Sequence, residues 1–171
     1  MNAGAGGTEE LGSRVAATGK DFLWLHLREI PYFRSILRAV EARFYQGLEL
    51  PQPILDVGCG DGHFASVVFD SRIDVGVDLH LPSLREANRR VAYRLLLDSD
   101  GTRLPIRSES LGSAFSNSVL EHLPNLDGVL AEIARTLKPG APLFFTVPNP
   151  GYRTELSFPR FLASAGLRRA A

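Results

Sequence analysis

Three glycines at alternate positions, Gly58, Gly60 and Gly62, follow directly on the apolar run Ile54-Leu55-Asp56-Val57. Glycine removes bulk and tolerates left-handed backbone, so this spacing predicts a tight turn that a ligand can approach closely, with backbone N–H groups free to point at it. The spacing departs from the G-x-G-x-x-G of pyrophosphate-binding turns, and His63 stands where their third glycine would fall. Asp56 is the one polar residue in the run before the turn, and Asp78 closes the next apolar run, Asp74-Val75-Gly76-Val77. A carboxylate at that strand end can accept both hydrogen bonds of a ribose diol, as the acid roughly 20 residues beyond a nucleotide-binding turn does, or it can simply face solvent. Leu79 beside it would offer an apolar face to a base. His122, with an ordinary pKa near working pH, is a candidate general base or a structural cap for the helix after it. Cys59 fills the turn and has no activating neighbour in sequence, so it reads as a lining residue and not a nucleophile. His63 reads as the residue that starts a helix.

These residues need rigid elements to hold them. Ile54–Val57 predicts a buried parallel strand, and a short helix follows from about Phe64. Further strands are predicted at 74–79, 94–98, 113–117 and 143–147. A helix starting near Pro82 and an amphipathic helix through Leu126, Val129, Leu130, Ile133 and Leu137, stopped by Pro139-Gly140, separate them. Strands alternating with helices predict an α/β chain with a doubly wound, mostly parallel sheet and its ligand crevice at the carboxyl ends of the strands. Before the sheet come two helix candidates. One runs from Phe22 to Ile30. The other begins at Pro31 and carries Phe33, Ile36, Leu37, Val40 and Phe44 on one stripe, with Arg34, Arg38, Glu41 and Arg43 mostly opposite. They either cap the sheet or cover the pocket. A last short helix is expected at about Phe158–Ala165, capped by Ser157 and Gly166.

With its blocks in this order, the stretch from about Ile54 to Asn149 resembles the class I S-adenosylmethionine (SAM)-dependent methyltransferases. It is most similar to the small-molecule or lipid branch, where Glu-His-Leu-Pro (here Glu121–Pro124) and Leu-Lys-Pro-Gly-Ala (Leu137–Ala141) commonly occur. The resemblance implies a Rossmann-like doubly wound sheet of strand order 3-2-1-4-5 and SAM as cofactor, with Asp56, Gly58, Cys59, Gly60 and Gly62 forming the first cofactor motif and Asp78 the ribose acid. It implies that Asp100 and Gly101 hold the adenine edge, although they also read as an ordinary Asp-Gly turn and Asp98 competes for the role. Ser116 and Asn117 would line the methionine portion, their carbonyl oxygens suiting its ammonium group together with a nearby carboxylate, with Asp56 helping from below. Methyl transfer to an activated carbon asks the protein mainly for positioning and desolvation, so no nucleophile or metal is required.

Composition narrows the field. The 171 residues suit one domain, with 1–19 a flexible N-terminal segment, 20–50 a helical cap and 53–149 the cofactor-binding core of a single unit over 20–171. Lys+Arg and Asp+Glu are 19 each, so no overall field recruits nucleic acid. One cysteine forms no internal disulfide, the four histidines are scattered without metal-ligand spacing, and neither a secretory signal nor a membrane-spanning run is present, which together predict a cytoplasmic protein. The family's sheet usually continues beyond the fifth strand, and only about 20 residues follow Pro150 here. The fifth strand is thus expected to be an edge covered by a partner chain, a dimer mate or the 158–165 helix, or the chain to be a fragment of a longer enzyme. Three functions stay open: a methyltransferase acting on a small molecule or lipid, a non-catalytic SAM-fold module, and an NAD(P)-dependent oxidoreductase, which the glycine spacing disfavours.

Overall fold

The central strand, Ile54–Val57, is buried along its whole length and alternates its side chains between two separate cores. The computed structural model describes residues 14–16 and 20–149. In chain order the elements are β1 (Arg14–Ala16), α1 (Phe22–Leu27), α2 (Tyr32–Tyr45), β2 (Glu49–Pro51), β3 (Ile54–Val57), α3 (His63–Val68), β4 (Ile73–Asp78), α4 (Leu81–Arg90), β5 (Tyr93–Asp98), β6 (Ser113–Asn117), a 3-10 turn (Leu120–His122), α5 (Leu126–Thr136) and β7 (Leu143–Thr146). Five parallel strands form one sheet in the order β5-β4-β3-β6-β7. Numbered along the chain, that is the 3-2-1-4-5 order expected. The order reverses between β3 and β6, and this switch point opens a crevice at the strand carboxyl ends.

Because strand side chains alternate, Ile54 joins Tyr45, Val68, Phe69, Ile73 and Phe115 on one face, whereas Leu55 and Val57 join Val75, Val77, Val129 and Ile133 on the other. Helix α5 covers the second face with Val129 and Ile133, as its period predicts. Tyr45 anchors the first face edge-on against Phe64, Phe69 and Phe115.

Helix α2 turns its small residues, and not its large apolar stripe, toward the sheet. Its buried residues are Ser35, Ala39, Ala42 and Tyr45, while Phe33, Val40 and Phe44 are half exposed or more. Small residues let the helix approach its neighbours closely, and the buried Ser35 hydroxyl is satisfied by the carbonyls of Ile30 and Pro31. The larger apolar stripe is therefore left on the outside. Boundaries also differ, β4 running from Ile73 to Asp78 where 74–79 is expected and β7 ending at Thr146. Within the stretch read as flexible, Arg14–Ala16 pair antiparallel with β2, whose backbone groups offer an open edge. Strand β5 starts at Tyr93, one residue before the sequence reading. Strand β7, predicted as buried, is only half-buried and presents Phe145, because it is the last strand of the described sheet. The helix expected at 158–165 lies outside the described residues.

Candidate functional site

The glycine turn is stitched to the sheet by its own N–H groups. Those of Gly58 and Cys59 both donate to the Val77 carbonyl (2.8 and 3.0 Å), that of Gly60 donates to Asp78 Oδ2 (2.9 Å), and that of Gly62 to the Cys59 carbonyl (3.1 Å). His63 N–H is held by Asp61 Oδ1. The expectation that these donors point at a ligand is thereby corrected: the turn consumes them and presents bare backbone instead. Gly58 has φ +75°, and a Cβ there would meet Val119 Cγ1 at 2.4 Å. Gly60 has φ +54° and open space on its side-chain side. Gly62 plays a different part from its neighbours. It heads α3 with φ +72° and packs beneath Tyr93 and Ala87, and it borders no described cavity.

At the strand ends this turn borders a crevice of about 410 Å³ whose walls include Asp56, Cys59, Asp61, Asp78 and Asn117. A smaller cavity of about 120 Å³ continues on the far side of Gly58, walled by Leu79, Asp100, Gly101 and Leu123. Gly58, Asp78 and Val119 border both spaces. Asp78 accepts from Gly60 N–H on one oxygen and from His80 N–H on the other, which leaves each oxygen one further lone pair for a ligand. Asp100 turns Oδ1 back to the Thr102 N–H and hydroxyl, bonds that hold its carboxyl below the usual range. The loop carrying it is fixed from below: Glu132 accepts from Leu104 N–H, and Arg135 donates to the carbonyls of Leu104 and Ile106. Asp98, at the end of β5, borders neither cavity.

Ser116 and His122 border neither the crevice nor the smaller cavity beside it. Ser116 is fully buried and donates its hydroxyl to the Val57 carbonyl (2.8 Å), tying β6 to β3 behind the crevice. His122 is exposed, stands 3.8 Å from Glu121 and borders a third cavity, of about 620 Å³, rather than the crevice. Nor does it cap α5, a role taken by Asn125. Asn117 does reach the crevice, with its amide committed: Nδ2 donates to Glu41 Oε2 (2.8 Å) and Oδ1 accepts from the Thr146 hydroxyl.

Beneath the crevice lies a polar floor. Asp56 is buried and accepts a 2.6 Å hydrogen bond from the Tyr93 hydroxyl. Burial pushes its carboxyl up to about 7, against the pull of that hydrogen bond. Gly62 and Gly76 make room for the Tyr93 ring. Burial likewise pushes the Cys59 thiol far up, which keeps it protonated and inert. His63 is buried at the start of α3, its Nε2 lying 2.8 Å from His26 Nδ1 and its Nδ1 3.3 Å from Glu29, which Arg90 grips at 2.6 Å. Glu29 only accepts, so His63 carries its proton on Nδ1, accepts from His26 on Nε2, and leaves His26 Nε2 bare. Burial pushes His26 down to about 4 and lowers His63 too. Sequence reasoning missed Tyr93, His26 and Glu41. An aromatic at a strand start and a histidine within an apolar helix both read as ordinary core, and only the fold brings Tyr93 onto Asp56, His26 onto His63 and Glu41 onto Asn117, residues that line the crevice. Among the described residues no group of His, Cys, Asp and Glu could hold a metal ion.

A family model described as a methyltransferase domain matches residues 55–145. The malonyl-[acyl-carrier protein] O-methyltransferase of Xylella fastidiosa (strain M23) is 32% identical over 126 residues, covering 70% of this chain and 42% of that protein. The Methylovorus sp. (strain MP688) protein of the same name is 32% identical over 136 residues, covering 70% and 46%. The chain thus spans less than half the length of these relatives. Among solved structures, a Pyrococcus horikoshii OT3 protein superposes with a TM-score of 0.57 at 20% identity, covering 88% of this chain and 70% of the other. That likeness shows the fold.

Proposed function

The chain belongs to the class I SAM-dependent methyltransferases, and from that premise we propose that it transfers a methyl group from SAM to a small-molecule or lipid-like acceptor. The observation that carries this reading is the internal use of the turn's N–H groups. A pyrophosphate needs several of those donors, and an oxidoreductase of the dinucleotide type would leave them open. An adenosyl sulfonium needs none. It asks for carboxylates, an apolar slot and bare backbone, and the two cavities around Gly58 offer these.

When bound, SAM supplies a methyl group on a cationic sulfonium, ready for in-line displacement. In this proposal Asp78 accepts the ribose hydroxyls through its two remaining lone pairs. Leu79 covers one face of the adenine, and Asp100 with Gly101 meets its edge. Asp56, at the floor, offers a carboxylate to the ammonium group together with backbone oxygen of Asn117, and Tyr93 keeps that carboxylate oriented. Gly58, Cys59 and Gly60 form the wall that lets the ligand lie against backbone. The curated relatives are named for O-methylation of a malonyl group on an acyl-carrier protein. We take an oxygen of a carboxylated acyl group as the acceptor class this favours. Such an acceptor enters already ionised, so His122 would be needed as a base only for a hydroxyl acceptor.

Calorimetric titration with SAM, S-adenosylhomocysteine and NAD tests the proposal. Binding of both adenosyl ligands and not of NAD is expected, weakened by Asp78→Ala. Asp78→Asn, which keeps one acceptor oxygen, serves as the milder variant should the first fail to fold. Binding of NAD alone would overturn the reading.

A further inference from the structure

Arg34, Arg38 and Ser118 border both the 410 Å³ crevice and the 620 Å³ cavity. That second cavity in turn shares Phe44, Thr146 and Val147 with a third, of about 360 Å³, beside the edge of β7. The spaces join end to end along the outer face of α2. From Arg34 to Phe44 the helix advances about 15 Å at 1.5 Å per residue. Leu37, Val40 and Phe44 line one wall, and Val147 and Phe145 the other. Val40 (49% exposed), Phe44 (66%), Phe145 (55%) and Val147 (46%) leave a continuous apolar surface open to solvent at the mouth of a polar crevice.

The end nearest the crevice is charged. Arg38 is paired with Glu41 at 2.6 Å, and Glu41 also accepts from Asn117 and the Ser118 hydroxyl, so its charge is fully committed. Arg34 has no partner among the described residues. The remaining acid on the cavity wall, Glu121, stands beside His122. One guanidinium is thus free at the point where crevice and trough meet.

We propose that this trough is the acceptor site, and that its occupant is a linear acyl chain with a carboxylate head, the head at Arg34 and the chain running past Val40 and Phe44 toward Phe145. The transfer step rests on the methyltransferase reading; the binding does not. In that step a carboxylate oxygen forms the new O–CH₃ bond while the methyl carbon's bond to sulfur breaks, and sulfur keeps the electron pair. The products are a methyl ester and S-adenosylhomocysteine, both formed without a proton transfer, so no base is required. The free guanidinium fits a carboxylate bidentately, and the apolar walls fit methylenes.

The test is calorimetric titration of the whole chain, below micelle-forming concentrations, with octanoate, decanoate and dodecanoate. Dodecanol and dodecyltrimethylammonium serve as head-group controls. Affinity should rise ~4-fold per added methylene, the equivalent of about 0.8 kcal/mol for each buried CH₂. The carboxylate should outbind both controls, and Arg34→Gln should remove its advantage over the alcohol. Val40→Asp and Phe44→Asp, at exposed positions that folding tolerates, should flatten the chain-length dependence while the SAM dissociation constant stays put. No binding, no dependence on length, equal binding by the two aspartate variants, or preference for the trimethylammonium head would each overturn the trough. SAM binding without acyl binding removes the trough alone. Acyl binding without SAM binding supports the trough and removes the methyltransferase reading.

Discussion

Replacing Asp56 by Asn should stabilise this protein at alkaline pH and at the same time weaken SAM binding. Asp56 is buried, with the Tyr93 hydroxyl donating to it, and its carboxyl titrates near 7 in the fold against an ordinary 3.8. Between those values the folded chain binds more protons at this site than the unfolded chain does. The contribution of Asp56 to stability therefore falls as pH rises from about 4 to about 7, and stays low above that. Integrated over the window, the cost of ionising Asp56 inside the fold is on the order of 4 kcal/mol at pH 8. Asn keeps the shape, and its side-chain oxygen still accepts from Tyr93, without a charge to desolvate. Urea unfolding at pH 8 should give the variant a midpoint higher by 1 M or more, taking a slope of about 1–3 kcal/mol/M. Near pH 4 the difference should vanish. His26 imposes an opposite trend, since its pKa is lowered to about 4 by burial and then by His63, but it is present in both proteins and cancels in the comparison. The carboxylate also faces the crevice, so the variant should bind SAM more weakly at pH 8 while being the more stable apo-protein. A variant no more stable than the native chain at pH 8, or equally stabilised at pH 4 and pH 8, would refute the reasoning.

Gly58→Ala forces a Cβ into Val119 at a positive φ and should cost about 1–3 kcal/mol, read as a lower melting temperature, along with SAM affinity. Ser116→Ala strands the Val57 carbonyl and should cost about 1–3 kcal/mol in urea unfolding, with an unchanged SAM dissociation constant because Ser116 borders no described cavity. Arg135→Ala releases the carbonyls of Leu104 and Ile106, so the loop bearing Asp100 and Gly101 must be ordered by the ligand itself. SAM should bind several-fold more weakly with little change in melting temperature, and equal affinity by calorimetry would count against that role. His26 folds neutral and unfolds with an ordinary pKa near 6.5, so the unfolded chain binds more protons between about 4 and 6.5. His26→Gln removes that contribution, so the stability of the variant relative to the native chain should rise as pH falls through that window.

The sheet was readable because its signals are local. Ile54–Val57 and Leu143–Thr146 each announce a strand by an apolar run between turn residues, Ser113–Asn117 shows one more faintly because it is short of β-branched residues, and the period of α5 points to the residues it buries. Alternation with helices then makes the sheet parallel and doubly wound, while the strand order was legible only through the family resemblance. The proposed cofactor side inherits this legibility: Gly58, Asp78, Leu79, Asp100 and Gly101 sit at strand ends in sequence, and strand ends at a switch point converge in space. What the spacing could not say was how the turn's donors are used. That depends on the Val77 carbonyl and the Asp78 carboxylate, which belong to the neighbouring strand.

The acceptor side is illegible in sequence for a different reason, visible in α2. Two stripes compete on that helix. The conspicuous one, Phe33-Leu37-Val40-Phe44, has the size and period of a core face, yet the sheet side takes Ser35-Ala39-Ala42-Tyr45 instead. Small residues win because close approach lets Tyr45 reach Phe64, Phe69 and Phe115, a gain in packing that a row of large side chains would block. The helix is thereby committed twice: its small face holds the fold, and its large apolar face is released to the solvent side beside Arg34. Hydrophobic patterning alone cannot separate a face that builds a core from a face that binds an apolar ligand, since both exclude water by the same physics. Only the partner surface distinguishes them. Here Ser118 and Val147, far from α2 in the chain, turn the released face into one wall of a trough that opens on the crevice.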